Sequence, residues 1–273
     1  MTVSLHPEAA LAGIPGWEGA SFSELKGGLT NRSWLVVKGE KSAVLKIDHG
    51  ARGAPFNTRC AEGYVQTSAA KAGLAAPVLF AGDGVYLTEY IQGTIWTRNS
   101  FSEPHNLELF ASALRRLHAL PLTGRALDAR IAARRYVEKV AGLDPAVIAK
   151  CTDVIAHMRL PHNLCCCHND LVAENIIATP DLKFLDWEYA CDNDPFFDLA
   201  TAVEHHELDD EQVRYLLDAY LGGDGRRWRD HLDKQRKLYL ALLCLWMASR
   251  PDTDPVELEG VVERMLTSCS AIP

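Results

Sequence analysis

The chain predicts a mixed α+β fold in two lobes: a small antiparallel β lobe holding one helix, then a larger, mainly helical lobe. Short runs rich in β-branched and aromatic residues, bounded by Gly and polar breaks, fill the stretch before Gly93. Apolar residues then recur at helical spacing through most of the remainder. Gly93 marks the change of character, so the expected division is residues 1–92 and 93–273.

The elements follow in order. Residues 21–27, 33–39 and 42–48 read as strands, and 58–72 as a helix of good helix formers interrupted by Gly63 and stopped by Gly73. Strands at 77–81 and 85–91 flank the tight turn Gly82-Asp83-Gly84. Beyond the crossing at 89–93, Leu107, Phe110, Leu114 and Leu117 share one helical face, and Pro121 ends that helix just after Leu120. Later helices are expected at 146–158, 210–221, 228–248 and 255–266, while 164–188 reads as strand and loop. A cleft between two such lobes is a common place for a small-molecule site.

Composition narrows the function classes. The 28 Lys+Arg against 36 Asp+Glu leave a net charge of −8, which argues against a general nucleic-acid surface and sits more easily with a cationic ligand. The longest near-apolar run, 238–248, is too short to span a bilayer, and the N-terminus lacks a signal-peptide pattern. Eight cysteines, three of them consecutive, do not make a disulfide framework, so a reducing, cytoplasmic setting and no membrane partner are expected.

The densest chemistry lies in residues 165–200. Residues 175–186 read as a β-hairpin; with 179–182 as its loop, Ala178 faces Lys183 and Asn175 falls opposite Asp186. Opposed Cβ atoms sit roughly 4.5–5.5 Å apart, so this amide oxygen and this carboxylate could share one hard cation such as Mg²⁺. Asp170, a short loop upstream, could stand beside the metal as a base, which is the arrangement that phosphoryl transfer to a hydroxyl needs. Any one of these residues alone would be read as a turn or cap residue; the three at this spacing would not.

His168-Asn169-Asp170, Asn175, Asp186-Trp187-Glu188-Tyr189-Ala190, Asp194-Pro195 and Asp198-Leu199-Ala200 together resemble the signature of choline/ethanolamine kinases. Close variants occur in bacterial thiamine kinase and the wider aminoglycoside phosphotransferase family, all of protein-kinase-like fold. Residues 114–120 resemble the family's helix before the catalytic region. The resemblance implies Asp170 as catalytic base, Asn175 and Asp186 as Mg²⁺ ligands with Glu188 beside them, and Asp198 as a brace for the catalytic loop. His168 is expected to hold that loop rather than carry phosphate.

It also implies a nucleotide site in the small lobe. Lys46 would grip the α/β-phosphates of ATP, with Glu62 as its helix partner. Gly27, Gly28, Thr30 and Asn31 would bring backbone N–H groups to the phosphates. Glu89 and Ile91, with Tyr90 between them, would offer main-chain groups to adenine. The expected partner is a small alcohol, choline, ethanolamine or thiamine, with an aminoglycoside or other sugar hydroxyl as the alternative. A catalytically dead nucleotide-binding module is disfavoured because Lys46, Asp170 and Asp186 are all present.

Other features read as structural. Cys165, Cys166 and Cys167 alternate faces on a strand and lack a CxxC partner, so they are expected to be small buried hydrophobes rather than a metal site. Glu204, His205, His206 and Glu207 are expected on an exposed polar loop. Trp228, Tyr239 and Trp246 are expected as core residues of the late helix, with a second role against a cationic substrate open to them. The acids Glu204, Glu207, Asp209, Asp210 and Glu211 are expected to line the same wall.

Overall fold

The structure, a computed structural model, describes residues 5–25, 32–48, 58–82, 84–158 and 163–270. After a short helix α1 (Pro7–Ala12), strands β1 (Ser21–Leu25), β2 (Arg32–Lys38) and β3 (Lys41–Ile47) lead to helix α2 (Arg59–Lys71) and strands β4 (Val78–Gly82) and β5 (Val85–Glu89). The five strands form one antiparallel sheet in the order β1-β2-β3-β5-β4.

Alternation along β3 decides what each sheet face does. Ala43, Leu45 and Ile47 are buried in a core with Trp34, Val36, Leu87 and Leu11 of α1. Lys46 therefore turns to the opposite face, in register with Ser33 and Tyr86. Helix α2 covers that face, its first turn capped by the Thr58 hydroxyl, which accepts the Ala61 N–H at 3.1 Å. Gly63 is explained by packing: a Cβ there would meet the Ala81 Cβ at 2.9 Å, so its absence lets the helix lie close on β4 and β5.

The remainder is β6 (Thr94–Ile95), α3 (Pro104–His118), α4 (Ala129–Val137), α5 (Pro145–His157), β7 (Cys165–Cys167), β8 (Ile176–Ala178), β9 (Leu182–Phe184), β10 (Cys191–Asn193), α6 (Pro195–His205), α7 (Asp210–Leu221), α8 (Arg229–Ala248) and α9 (Pro255–Ser270). A second core gathers Phe110, Leu114, Phe184, Trp187, Leu199, Leu240 and Leu245, and takes in Val65, Ala69 and Leu74 from α2 and the turn after it. That turn ties the halves together. Phe184 N–H donates to the Leu74 carbonyl at 2.7 Å, Lys183 Nζ to Gly73 O at 2.9 Å, and Arg116 to the Ala72 carbonyl. Gly93 sits where β8 comes closest, since a Cβ would collide with the Ala178 carbonyl oxygen and lie 2.8 Å from Ile177 Cγ1. The chain is thus a mixed α+β fold, an antiparallel sheet lobe followed by a helical one. Among the described residues no helix is long and apolar enough to cross a membrane.

Several local expectations need correction. The hairpin pairs Ile176 with Phe184, Ile177 with Lys183 and Ala178 with Leu182, one residue out of the expected register. Thr179 closes a tighter turn, its N–H donating to the Asp181 carbonyl at 3.0 Å, so Asn175 lies across from Leu185, whose N–H it accepts at 2.8 Å. Glu204 and His206 are buried at the end of α6, not on an exposed loop. Trp228 precedes α8 rather than lying in it and is 37% exposed, stacked on Phe196.

Candidate active site

The site is built around a loop, residues 168–175, held from below by α6. Asp198, fully buried, accepts the main-chain N–H of His168 at 2.9 Å and of Asn169 at 2.7 Å, so one carboxylate satisfies two successive donors. His168 donates through Nε2 to the Leu185 carbonyl at 2.9 Å, and its ring packs on Trp187 and Phe184. Burial, outweighing Asp198 and the Leu185 bond, lowers its pKa and keeps the ring neutral, as suits a structural histidine. Asn169 adopts a left-handed backbone, φ 64°, held by Nδ2 donation to Tyr189 O at 3.0 Å and by acceptance from Asn193 Nδ2 at 2.8 Å.

This bracing sets Asp170 in place. Asn175 Nδ2 donates to the Asp170 carbonyl at 2.9 Å and to its Oδ2 at 3.0 Å. Burial first, then the charges of Asp186 and Glu188, pushes the Asp170 carboxyl up to about 8. Three carboxylates therefore share one half-buried spot. Such a cluster with an amide beside it is an all-oxygen donor set of the kind hard divalent cations take. Asn175 commits its Nδ2 to Asp170, leaving Oδ1 as its donor atom for a cation.

Asp186 has a left-handed backbone of its own, φ 57°, at the bend between β9 and the turn Trp187–Tyr189. Its Oδ1 lies 2.8 Å from Lys46 Nζ, joining the antiparallel sheet to the segment after the Asp170 loop. Burial works against the charge on both, yet each favours its charged form. Asp186, then Glu62, carries Lys46 above its usual value; Lys46, then Arg59, holds Asp186 below its own.

The sequence missed Arg59. Its side chain is 2% exposed, bridges Asp48 at 2.6 Å and Glu62 at 2.8 Å, and lies over the Tyr86 ring at 5.4 Å. The expected partnership of Glu62 with Lys46 thus takes another form: Lys46 is ion-paired with Asp186, and Glu62 bonds Arg59 while raising the Lys46 pKa from a distance. The available signal was an acid three residues after an Arg on the first turn of a helix that follows Asp48.

At the lobe junction, Glu89 donates its N–H to Pro77 O and Tyr90 to Ser42 O. Ile91 N–H makes no hydrogen bond among the described residues. Gly27, Gly28, Thr30 and Asn31 lie outside the described residues.

Tyrosines stand within electrostatic reach of these acids. Burial, then the Asp170 charge, raises Tyr136 of α4 to about 12 and lifts Tyr239, while burial, then Glu188, lifts Tyr189. Trp246 is half-buried beside the Tyr189 hydroxyl. The acidic run is otherwise engaged. Glu204 pairs with Arg236 at 2.6 Å, Glu207 with Arg98 and Arg264, and Asp210 with Arg229 at 2.8 Å, while Asp209 caps α7.

Comparison with known proteins agrees with this arrangement. The chain is 31% identical to protein LicA of Haemophilus influenzae over 217 residues, 73% of this chain and 62% of that protein's length. Its fold matches a choline/ethanolamine kinase family protein from Mesorhizobium loti with TM-score 0.76 and 25% identity, covering 97% of this chain and 94% of the other. The choline kinase LicA from Streptococcus pneumoniae also superposes with TM-score 0.76, at 21% identity over 92% of this chain and 94% of its own. Residues 21–232, which hold both the Lys46–Asp186 pair and the braced Asp170 loop, match the phosphotransferase enzyme family, and the chain belongs to it.

Proposed function

We propose that this protein is an ATP- and Mg²⁺-dependent kinase that phosphorylates the hydroxyl of a small cationic alcohol, of the choline, ethanolamine or thiamine type. One observation carries the reading: Asp170, on the loop braced by Asp198, feels the charges of Asp186 and Glu188, acids suited to a metal–phosphate complex, and itself acts on Tyr136, whose ring is suited to an organic cation. Family membership and the choline kinase relatives support the same direction.

In this reading residues 1–92 hold the nucleotide and residues 93–273 the substrate and catalytic groups. Lys46 binds phosphate oxygens, the Ile91 N–H meets adenine, and the 27–31 segment covers the phosphates. Asn175 Oδ1, Asp186 and Glu188 hold Mg²⁺, which would neutralise charge developing on the transferred phosphoryl group. Asp170 orients the substrate hydroxyl and takes its proton. Burial first, then the charges of Asp186 and Glu188, raises its pKa, so neutralising those two charges would bring it back toward a carboxylate near neutral pH. Such a reaction belongs in the cytoplasm, where ATP is supplied.

The test is an ADP-release screen over choline, ethanolamine, thiamine, sugars and aminoglycosides, with the neutral tert-butyl isostere of choline alongside. Mg²⁺-dependent turnover of a cationic alcohol, with the isostere poor, is the expected result. Turnover confined to neutral sugars or aminoglycosides would replace the substrate assignment, and no ADP release with any alcohol would overturn the enzyme assignment.

A further inference from the structure

Directly behind the catalytic loop, β7 presents two thiols on one face. Residues two apart on a strand share a face, and Cys165 Sγ and Cys167 Sγ are 3.5 Å apart. A ring nitrogen of His118, at the end of α3, completes a group whose ligand atoms all lie within 4.8 Å of one another. A tetrahedral Zn²⁺ with Zn–S about 2.3 Å and Zn–N about 2.0–2.1 Å holds such atoms about 3.5–3.8 Å apart. The two sulfurs therefore already stand near the separation that one such ion imposes. The sequence reading rejected a metal here for want of a second cysteine pair, but the third ligand comes from a helix 47 residues before Cys165, where no local spacing reveals it.

The imidazole is also set up as a ligand. Asp198 already accepts two main-chain N–H groups, and His118 Nε2 adds a third bond to it at 3.1 Å. With Nε2 donating, the neutral ring keeps its lone pair on Nδ1, which meets the Tyr220 hydroxyl at 2.8 Å. A carboxylate behind the far nitrogen is the support that metal-binding histidines ordinarily have. The Tyr220 hydroxyl on that nitrogen places an oxygen beside the group.

Burial raises the Cys167 thiol well above its ordinary value, so Cys167 is a poor nucleophile. A thiophilic cation displaces the thiol protons on binding. Cys165 is half-buried, which leaves one side of the group open to solvent.

We propose that Cys165, Cys167 and His118 form a site for a thiophilic d¹⁰ cation of the Zn²⁺ class, with the Tyr220 oxygen or a water as fourth ligand. Occupation acts on the catalytic loop, because Cys167 adjoins His168 and because the Asp198 that backs His118 also holds the His168 and Asn169 amides.

The test titrates chelator-treated protein with Cd²⁺ in excess Mg²⁺, following the thiolate-to-metal charge-transfer absorption. X-ray absorption on the Zn²⁺-loaded protein gives the ligand types, and amide exchange reads residues 168–169. Expected are one Cd²⁺ per chain, two sulfur neighbours, and slower exchange of both amides on loading. Affinity should fall by more than about tenfold in Cys165→Ser, a loss that even an outer partner of a ligand can cause, and stay unchanged in Cys60→Ser and Asp186→Ala. Absence of a thiolate band, coordination by nitrogen and oxygen alone, or undiminished affinity in Cys165→Ser would overturn the site. Metal binding that leaves the two amides unchanged would overturn the coupling. Neither readout depends on kinase activity.

Discussion

Lys46 and Asp186 meet at 2.8 Å between the antiparallel sheet and the segment that follows the Asp170 loop, each keeping the other charged in a largely buried setting. This pair occupies the position where phosphate and metal are proposed to bind. Lys46→Met leaves Asp186 without its cation and should cost about 1–3 kcal/mol of stability, reduced from the fully buried case by the pair's partial exposure. The double variant with Asp186→Asn should recover part of that loss in urea unfolding. Both single variants should lose Mg²⁺-dependent nucleotide binding in calorimetry. Additive stability losses would show that the pair does not couple.

Asp170→Asn should separate activity from stability. Turnover should fall by about 10²-fold or more as the proton acceptor is removed. Stability should move the other way. The folded carboxyl holds its proton up to about 8, whereas the unfolded one releases it near 3.8, so wild-type stability falls as pH rises through that window. The amide has no such penalty. Without Mg²⁺, the variant should be more stable than wild type in urea unfolding at pH 8, by about a few kcal/mol, with the advantage shrinking toward pH 4. A variant no more stable at pH 8 than at pH 4, relative to wild type, would contradict the crowding of Asp170 by Asp186 and Glu188.

Arg59 should prove as important to the small lobe as Lys46. Replacing it by Met removes the bridges to both Asp48 and Glu62 and should cost about 3–5 kcal/mol. An Arg59→Met protein with wild-type urea unfolding would show that the bridge contributes nothing.

What the sequence disclosed and what it hid follow from range. The strand carrying Lys46, the glycine at the lobe crossing and the order His168-Asn169-Asp170, Asn175, Asp186 are local patterns, and the structure brings those residues to one place. The hairpin slipped by one residue because Thr179 closes its turn over Asp181 rather than leaving a four-residue loop. Helix α4, which carries Tyr136, went unrecognised because it is only nine residues long, three of them Arg, and buries only Ala133 fully. The partners of Glu204 and of the β7 thiols depend on residues brought from other elements, which no spacing in the chain records.

Recognition of a cationic alcohol has two competing locations, and the structure sets them apart. The acids after α6 are committed: Glu204 to Arg236, Glu207 to Arg98 and Arg264, Asp210 to Arg229, and Asp209 to the first turn of α7. Their charges are largely cancelled locally, so they offer little to a ligand. Tyr136 and Tyr189 instead stand within electrostatic reach of Asp170, where the substrate hydroxyl must sit in the proposed reaction. A quaternary cation packed on such ring faces gains about 0.5–2 kcal/mol per desolvated contact. Tyr136→Leu and Tyr189→Leu should therefore each raise KM for the cationic alcohol, by about tenfold for a well-desolvated ring, with little change in kcat. The same variants should leave KM for the neutral isostere nearly unchanged. Asp210→Asn and Glu211→Gln should alter neither constant. A KM that responds to the acids and not to the tyrosines would move the cation site to the α6–α7 wall.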